Sequence, residues 1–370
     1  MPPKQTILKS WWRAPFWLAA LLTGAKSFVD NPILGSRRLN AAGLHVWRLK
    51  GAHALARSRR SRLAGDIPLE LREQFDRDGY VLIHDFLPQD LFQSFQRELL
   101  DPALECRSQQ QGDTLTHRIP IGPGFRRRLP ELAKLLDSRR WKGLLAYVAS
   151  TRSAPLYYVQ AIAGGVAEGP PDPQLELHAD TFQPSMKAWL FLSDVPDDGR
   201  PLTYVAGSHR LSDARIAWEK RKSVDVLETG DRLSQRGSFR IALEELAELG
   251  LPQPTHFSVP ANTLVVVDTC GFHARAQSTR PTMRVELWAF SRRSPFMPWT
   301  GFDPLSWHPI AIRRGEWLQS IVDWLDHRGL KKQHWRPAGR WPSNVFTLPG
   351  RKSAEAETPA EDFPRKEMRG

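Results

Sequence analysis

The chain has 370 residues, of which 41% are hydrophobic, with 30 Pro and 14 Trp. That is enough for one large β-barrel domain with helical additions or for two smaller domains, and it suits a loop-rich β core better than a helical bundle. Two cysteines, Cys106 and Cys270, neither in a Cys-x-x-Cys pair, exclude a disulfide framework. The net charge of +12 is that of a basic leader and not of a basic enzyme. Twelve of the 52 Lys and Arg but one of the 40 Asp and Glu fall in residues 1 to 65, which leaves 40 basic against 39 acidic residues elsewhere.

Within that leader, residues 11 to 22 are apolar and Trp-rich, but too short for the roughly 20 residues that span a bilayer. Trp rings favour headgroup depth and nearby Lys and Arg favour anionic lipid, so attachment to a membrane surface is the expectation. A basic helix over Val46 to Leu63 adds to the attraction. Three alternatives stay open: a secretory signal, although no small-x-small cleavage site follows Lys4 and Lys9; nucleic-acid binding, although no recognised module accompanies it; and a solubilising arm.

From Ile67 the pattern is that of a folded domain. Helices are predicted over Pro68 to Asp78, Pro88 to Leu100, Pro130 to Leu136 and Arg140 to Val148, and a strand over Tyr80 to His84. The stretch between Cys106 and Arg128 reads as a solvated loop by default, with a substrate or co-substrate contact from His117 and Arg118 as the alternative. Leu156 to Ala163 reads as a strand on which Tyr158 and Gln160 share a face, open either to core packing or to a site at the barrel mouth. Met186 to Leu192, Pro201 to Val205, His256 to Val259, Thr263 to Val267 and Arg284 to Ser291 read as further strands. Ser208 is a candidate cap for a helix over Asp213 to Lys220, and Val224 to Leu249 is an insertion with a helix from Arg240. Residues 295 to 350 carry six Trp and a helix over Glu316 to His327, as an extension packed on the barrel; Arg351 to Gly370 reads as a disordered tail. The organisation is therefore a leader over 1–65, a catalytic domain over 66–293, a helical extension over 294–350 and a tail.

The chemistry lies in Leu175-Glu176-Leu177-His178-Ala179-Asp180 and in Cys270-Gly271-Phe272-His273. In an extended strand His178 and Asp180, two apart, share a face. A second imidazole from a distant strand would complete two His and one carboxylate, a facial set with open positions suited to non-haem Fe(II), and His273 is the candidate. Cys270 reads as a small buried hydrophobe and His209 as a local turn residue rather than ligands. Arg284, in the following strand, offers a guanidinium for a bidentate pair with a dicarboxylic acid.

Together with Phe75-Asp76-Arg77-Asp78-Gly79-Tyr80-Val81-Leu82, Lys187-Ala188-Trp189-Leu190-Phe191-Leu192, and Asp198-Gly199-Arg200-Pro201-Leu202 running to Ala206-Gly207-Ser208-His209-Arg210, these stretches follow one family's order over about residues 67 to 293. The sequence resembles the phytanoyl-CoA dioxygenase family of Fe(II)- and 2-oxoglutarate-dependent oxygenases. The resemblance implies a double-stranded β-helix, a jelly-roll barrel with helices outside, in which His178, Asp180 and His273 bind iron, Arg284 holds the distal carboxylate of 2-oxoglutarate and Trp189 lies beside it. Tyr158 and Gln160 are further candidates on the co-substrate side. Two departures stand out: Ala206 where the family has Pro, and Arg275 where it has a small hydroxyl residue.

The implied reaction uses O2 and 2-oxoglutarate to hydroxylate an unactivated C–H bond. The intact Asp180 carboxylate favours hydroxylation over the halogenation of relatives that lack it. The leader suggests a lipid or glycolipid substrate, such as the Kdo sugar of lipopolysaccharide, for a cytoplasmic enzyme peripheral on the inner face of the plasma membrane. Alternatives are a soluble acyl-CoA or small-metabolite hydroxylase, a nucleic-acid-associated oxygenase and a non-catalytic binding barrel.

Overall fold

The computed structural model describes residues 11–99, 105–296 and 303–340; the expected tail, Lys4, Lys9, Trp299 and Trp341 lie outside them. Eight strands form one antiparallel sheet in the order β1 (Tyr80–Ile83), β8 (Leu264–Asp268), β5 (Met186–Phe191), β10 (Thr282–Ser291), β4 (Leu156–Gly164), β3 (Thr114–Pro120), β2 (Glu105–Gln111) and β11 (Arg336–Arg340). A second sheet holds β7 (Thr255–His256), β6 (Leu202–Tyr204) and β9 (His273–Arg275). The architecture is the expected jelly roll with added helices.

Period-two alternation divides the large sheet into two faces. On its outer face Ala188, Leu190, Val285, Leu287 and Ala289 pack against Trp141, Leu144, Leu145 and Val148 of the Arg139–Ala149 helix. On its inner face Trp189, Phe191, Val265, Val267 and Trp288 meet Leu202 and Tyr204 of the small sheet. β8 is buried along its whole length, which is why it reads in sequence as a continuous apolar run.

Several expectations need correction. The polar stretch 106–128 is not a loop: β2 and β3 form a hairpin closed by Gly112-Asp113, followed by the Pro123–Arg128 helix. Gly112 has a φ of 58°, and a Gly-Asp pair between two strands is a two-residue hairpin signal. The helix after Ser208 extends over Asp213–Asp225 and is capped by Ser212, whose side chain accepts from Arg215 N; Ser208 Oγ accepts from Phe272 N instead. The helix placed from Arg240 begins at Leu243. The C-terminal extension is not purely helical, because β11 pairs with β2.

The basic leader helix, Leu44–Leu63, is packed into the domain, with Arg48, Leu49, Ala52, His53, Ala56 and Leu63 buried. It contacts the Arg139–Ala149 and Asp213–Asp225 helices. Several leader cations point inward: Arg60 Nη2 pairs with Asp268 Oδ2 at 2.7 Å and also donates to Val148 O, and Arg48 donates to Leu21 O, Thr23 O and Ala25 O at 2.9, 2.9 and 2.7 Å. Burial lowers Arg48 to about 10, and its guanidinium lies over the Phe182 ring. Among the described residues no helix is long and apolar enough to cross a membrane.

Candidate active site

The strand expected over 175–180 is reduced to one bridging residue, His178, paired on one side with His273 and on the other with Arg240. Single backbone bonds flank it, Arg275 N to Gln174 O, Ile241 N to Leu177 O and Ala179 N to Phe239 O, without forming a regular strand. The short pairing is still decisive. His178 N donates to His273 O at 3.0 Å and His273 N to His178 O at 2.9 Å, so the two histidines are direct cross-strand partners although 95 positions separate them. Asp180 N donates to Thr269 O at 2.9 Å, which fixes the third member.

Both histidine Nε2 atoms lie 3.7 Å from Asp180 Oδ1, and the three candidate ligand atoms all lie within 4.8 Å of one another. Each Nδ1 is engaged by a backbone carbonyl, His178 with Glu176 O at 2.7 Å and His273 with Gly271 O at 3.0 Å. That assigns the ring proton to Nδ1 and leaves both Nε2 lone pairs directed at a common point, where they are buried and without a hydrogen-bond partner. Cis ligands about 2.1 Å from a metal stand roughly 3 Å apart, so small side-chain adjustments suffice. A cation is the group that such a donor set fits.

The charge states agree. Burial, then His273, holds His178 well below its ordinary range, so it is a neutral ligand at neutral pH. Burial pushes the Asp180 carboxyl up, but Lys187, His273 and His178 together override it and hold the group well below the usual carboxylate range. Lys187 Nζ sits 2.7 Å from Asp180 Oδ2, leaving Oδ1 for the two histidines. Gly271 has a packing role here: a Cβ would collide with the Tyr204 hydroxyl and press on Ser208 Oγ, the group that holds Phe272 N beside His273.

The other predicted residues line the inner face further along the barrel. Trp189 is buried opposite Trp288. Gln160 Oε1 accepts from Arg118 Nε at 2.8 Å, Gln160 Nε2 donates to Glu286 Oε1, Arg284 Nε donates to Glu286 Oε2 at 3.1 Å and Arg284 Nη1 donates to Arg200 O. Tyr158 packs on Trp288, with the Arg118 guanidinium over both rings and over Trp335. Burial lowers Arg118 to about 10 and also lowers Arg284. Arg275, the departure noted in the sequence, pairs with Asp172 Oδ2 at 2.5 Å. Three cations therefore face two carboxylates, a surplus matching one further carboxylate.

Sequence reasoning missed Glu286, Lys187 and Lys26, and it named Arg118 as an alternative co-substrate contact while placing it in a loop that is in fact β3. Lys187 stands two residues before Trp189 on the inward face of β5, a signal that was legible; Lys26 carried none. Cys270 is a free, buried thiol pushed up by burial, and His209 packs on Phe75, so neither joins the cluster.

A jelly roll that brings two imidazoles and a carboxylate to one point defines the class of non-haem metal oxygenases. Residues 75–229 match the model of the phytanoyl-CoA dioxygenase family, so this stretch carries a domain of that family. The match takes in His178, Asp180 and Lys187, whereas His273 and Arg284 lie beyond it. No curated protein matches the sequence. Among solved structures, the 2-oxoglutarate-dependent epimerase SnoN from nogalamycin biosynthesis is similar at 19% identity and TM-score 0.40, covering 64% of this chain and 91% of that one. HygX from Streptomyces hygroscopicus, solved with nickel and 2-oxoglutarate, is similar at 18% and 0.40, covering 60% and 86%. EctD from S. alaskensis, solved with iron, is similar at 15% and 0.37, covering 64% and 83%.

Proposed function

We propose that the protein is a hydroxylase in which His178, Asp180 and His273 hold a ferrous ion, and Arg284, with Arg118 and Gln160 behind it, receives the distal carboxylate of 2-oxoglutarate. Bound together, the metal and co-substrate supply the oxidising equivalents of O2 that convert C–H to C–OH, with succinate and CO2 as co-products. The residues do the rest. The Nδ1 contacts fix both imidazoles, Lys187 orients Asp180, and Trp189, Trp288 and Tyr158 keep water from the co-substrate side.

The observation that carries this reading is the pair of buried, unpartnered Nε2 atoms facing one carboxylate oxygen. Anaerobic titration of the full chain with Fe(II) and 2-oxoglutarate tests it: a visible metal-to-ligand charge-transfer band is expected, and a folded chain without the band overturns it.

For the substrate, a lipid at a membrane surface is favoured by the leader, where Trp12, Phe16, Leu22 and Trp47 are exposed by 66%, 69%, 60% and 56% in company with Arg13. Co-sedimentation with phosphatidylglycerol vesicles, lost in Trp12→Ser/Phe16→Ser, is the expected outcome. Unchanged pelleting of that variant removes the membrane from the proposal.

A further inference from the structure

Lys26 is a leader residue that reaches the metal site. Its ammonium donates to the backbone carbonyl of Asp180 and has no carboxylate partner among the described residues. The loop before it is pinned by Arg48, which donates to three carbonyls between Leu21 and Ala25. Around Lys26 the charge is of one sign: Arg292, Lys187 and Arg240 all act on it, and only Asp180 opposes them.

Beside Lys26 opens a recess of about 600 Å³, within the size range of small-molecule sites, lined by Trp17, Ala20, Asn31, Lys26, Arg236 and Arg292. Neither Arg236 nor Arg292 has a carboxylate partner among the described residues; Asp30, also at its edge, accepts from the Ser27 hydroxyl. This charge differs from the set around Arg284. Along β10, Arg284 is six residues from Phe290, the Cα partner of Lys187, or roughly 20 Å at strand spacing. With the distal carboxylate of 2-oxoglutarate answering the surplus around Arg284, its other carboxylate and Asp180 would balance a ferrous ion, so neither site has negative charge to spare for the recess. The recess then keeps Lys26, Arg236 and Arg292 with no counter-charge beyond Asp30.

We propose that the primary substrate is an anion whose phosphate or carboxylate sits in the recess between Lys26, Arg236 and Arg292, with the leader forming one wall of the substrate site. This rests on the hydroxylase reading, because it takes the metal as the reacting centre. Cations without a carboxylate partner among the described residues, beside an apolar wall of Trp17, Ala20 and Leu34, select an acid carrying an apolar body.

The test uses the full chain loaded anaerobically with Fe(II) and 2-oxoglutarate, titrated with inorganic phosphate by calorimetry while the charge-transfer band is followed. Phosphate is expected to bind with a Kd of about 1 mM that rises with added salt, and Arg236→Ala/Arg292→Ala to weaken it at least tenfold, with the band and the melting temperature retained. Arg236→Lys/Arg292→Lys restores most of the affinity. Glycerol 3-phosphate against a short-chain phosphatidylglycerol separates a soluble acid from a lipid headgroup; either ranking supports the anion. A band with no phosphate binding, equal affinity in the Ala variant, or a response to neutral glycerol as strong as to phosphate overturns it. So does a variant whose 2-oxoglutarate titration shifts in place of phosphate, since the charge then serves the co-substrate. Absence of the band condemns the hydroxylase reading instead, and phosphate titration of the unloaded chain still decides the recess.

Discussion

The barrel carries two groups of cations, and they differ in what already balances them. Inside, Arg118 is tied to Gln160, Arg284 to Glu286 and Arg275 to Asp172, with contacts of 2.8, 3.1 and 2.5 Å. At the mouth, Lys26, Arg236 and Arg292 line an open recess without carboxylate partners among the described residues. A buried charge costs several kcal/mol unless it is paired, so the inner group is nearly neutralised and has a fixed geometry, whereas the solvated outer group tolerates its surplus. The inner set is suited to one invariant guest and the outer to a variable one.

The metal centre lies between the two groups, and removing it gives the largest effect. His178→Ala is expected to abolish the charge-transfer band and to lower succinate release by about a thousandfold or more, measured in single-turnover assays. If the band survives, the three side chains are not the ligand set.

The attachment of the leader to the barrel should break next, and in acid. His53, on the leader helix, has its Nε2 3.1 Å from Phe182 O, and burial, its largest influence, lowers it to about 4 from 6.5. The unfolded chain therefore takes up the proton first. This contribution to stability is complete above about pH 6.5 and is lost as pH falls toward 4, on the order of 3 kcal/mol. Denaturant midpoints measured between pH 7 and 4 should fall steeply, and His53→Gln should flatten the slope.

Within the inner group, Arg284→Lys keeps the charge but not the planar fork. It should raise half-saturating 2-oxoglutarate about tenfold with Fe(II) binding unaltered, and leave phosphate binding at the mouth unchanged. The smallest effect is expected from Glu286→Gln. It removes the carboxylate that competes for Arg284 and should tighten 2-oxoglutarate by roughly threefold at some cost in stability, read as a lower midpoint in the band titration. Weaker co-substrate binding in that variant would mean that Glu286 orients Arg284 more than it competes with it.

Much of this was legible from residue order, because it depends on local patterns. Alternating or continuous apolar runs marked β1, β4, β5, β8 and β10, helical spacing marked the Gln89–Leu99 and Arg139–Ala149 helices, and the two-residue spacing of His178 and Asp180 put them on one face. The family order pointed to His273 and Arg284. The Gly112-Asp113 hairpin was also written in the chain, but the polar residues of β2 and β3 masked it: one end of the sheet alternates polar and apolar instead of running apolar like β8.

What only the tertiary structure decided is which charges meet. Nothing local distinguishes Lys26 from the other cations of a basic leader, yet it lands on a carbonyl 154 positions away, as Arg60 lands on a carboxylate 208 away. Sequence determined the donors, the strands and the sign of the charge, since each is a property of a residue and its near neighbours. The ligand point, the packed leader and the division of cations between a balanced interior and an unbalanced mouth arise from long-range pairing, in which burial selects partners that spacing along the chain does not encode.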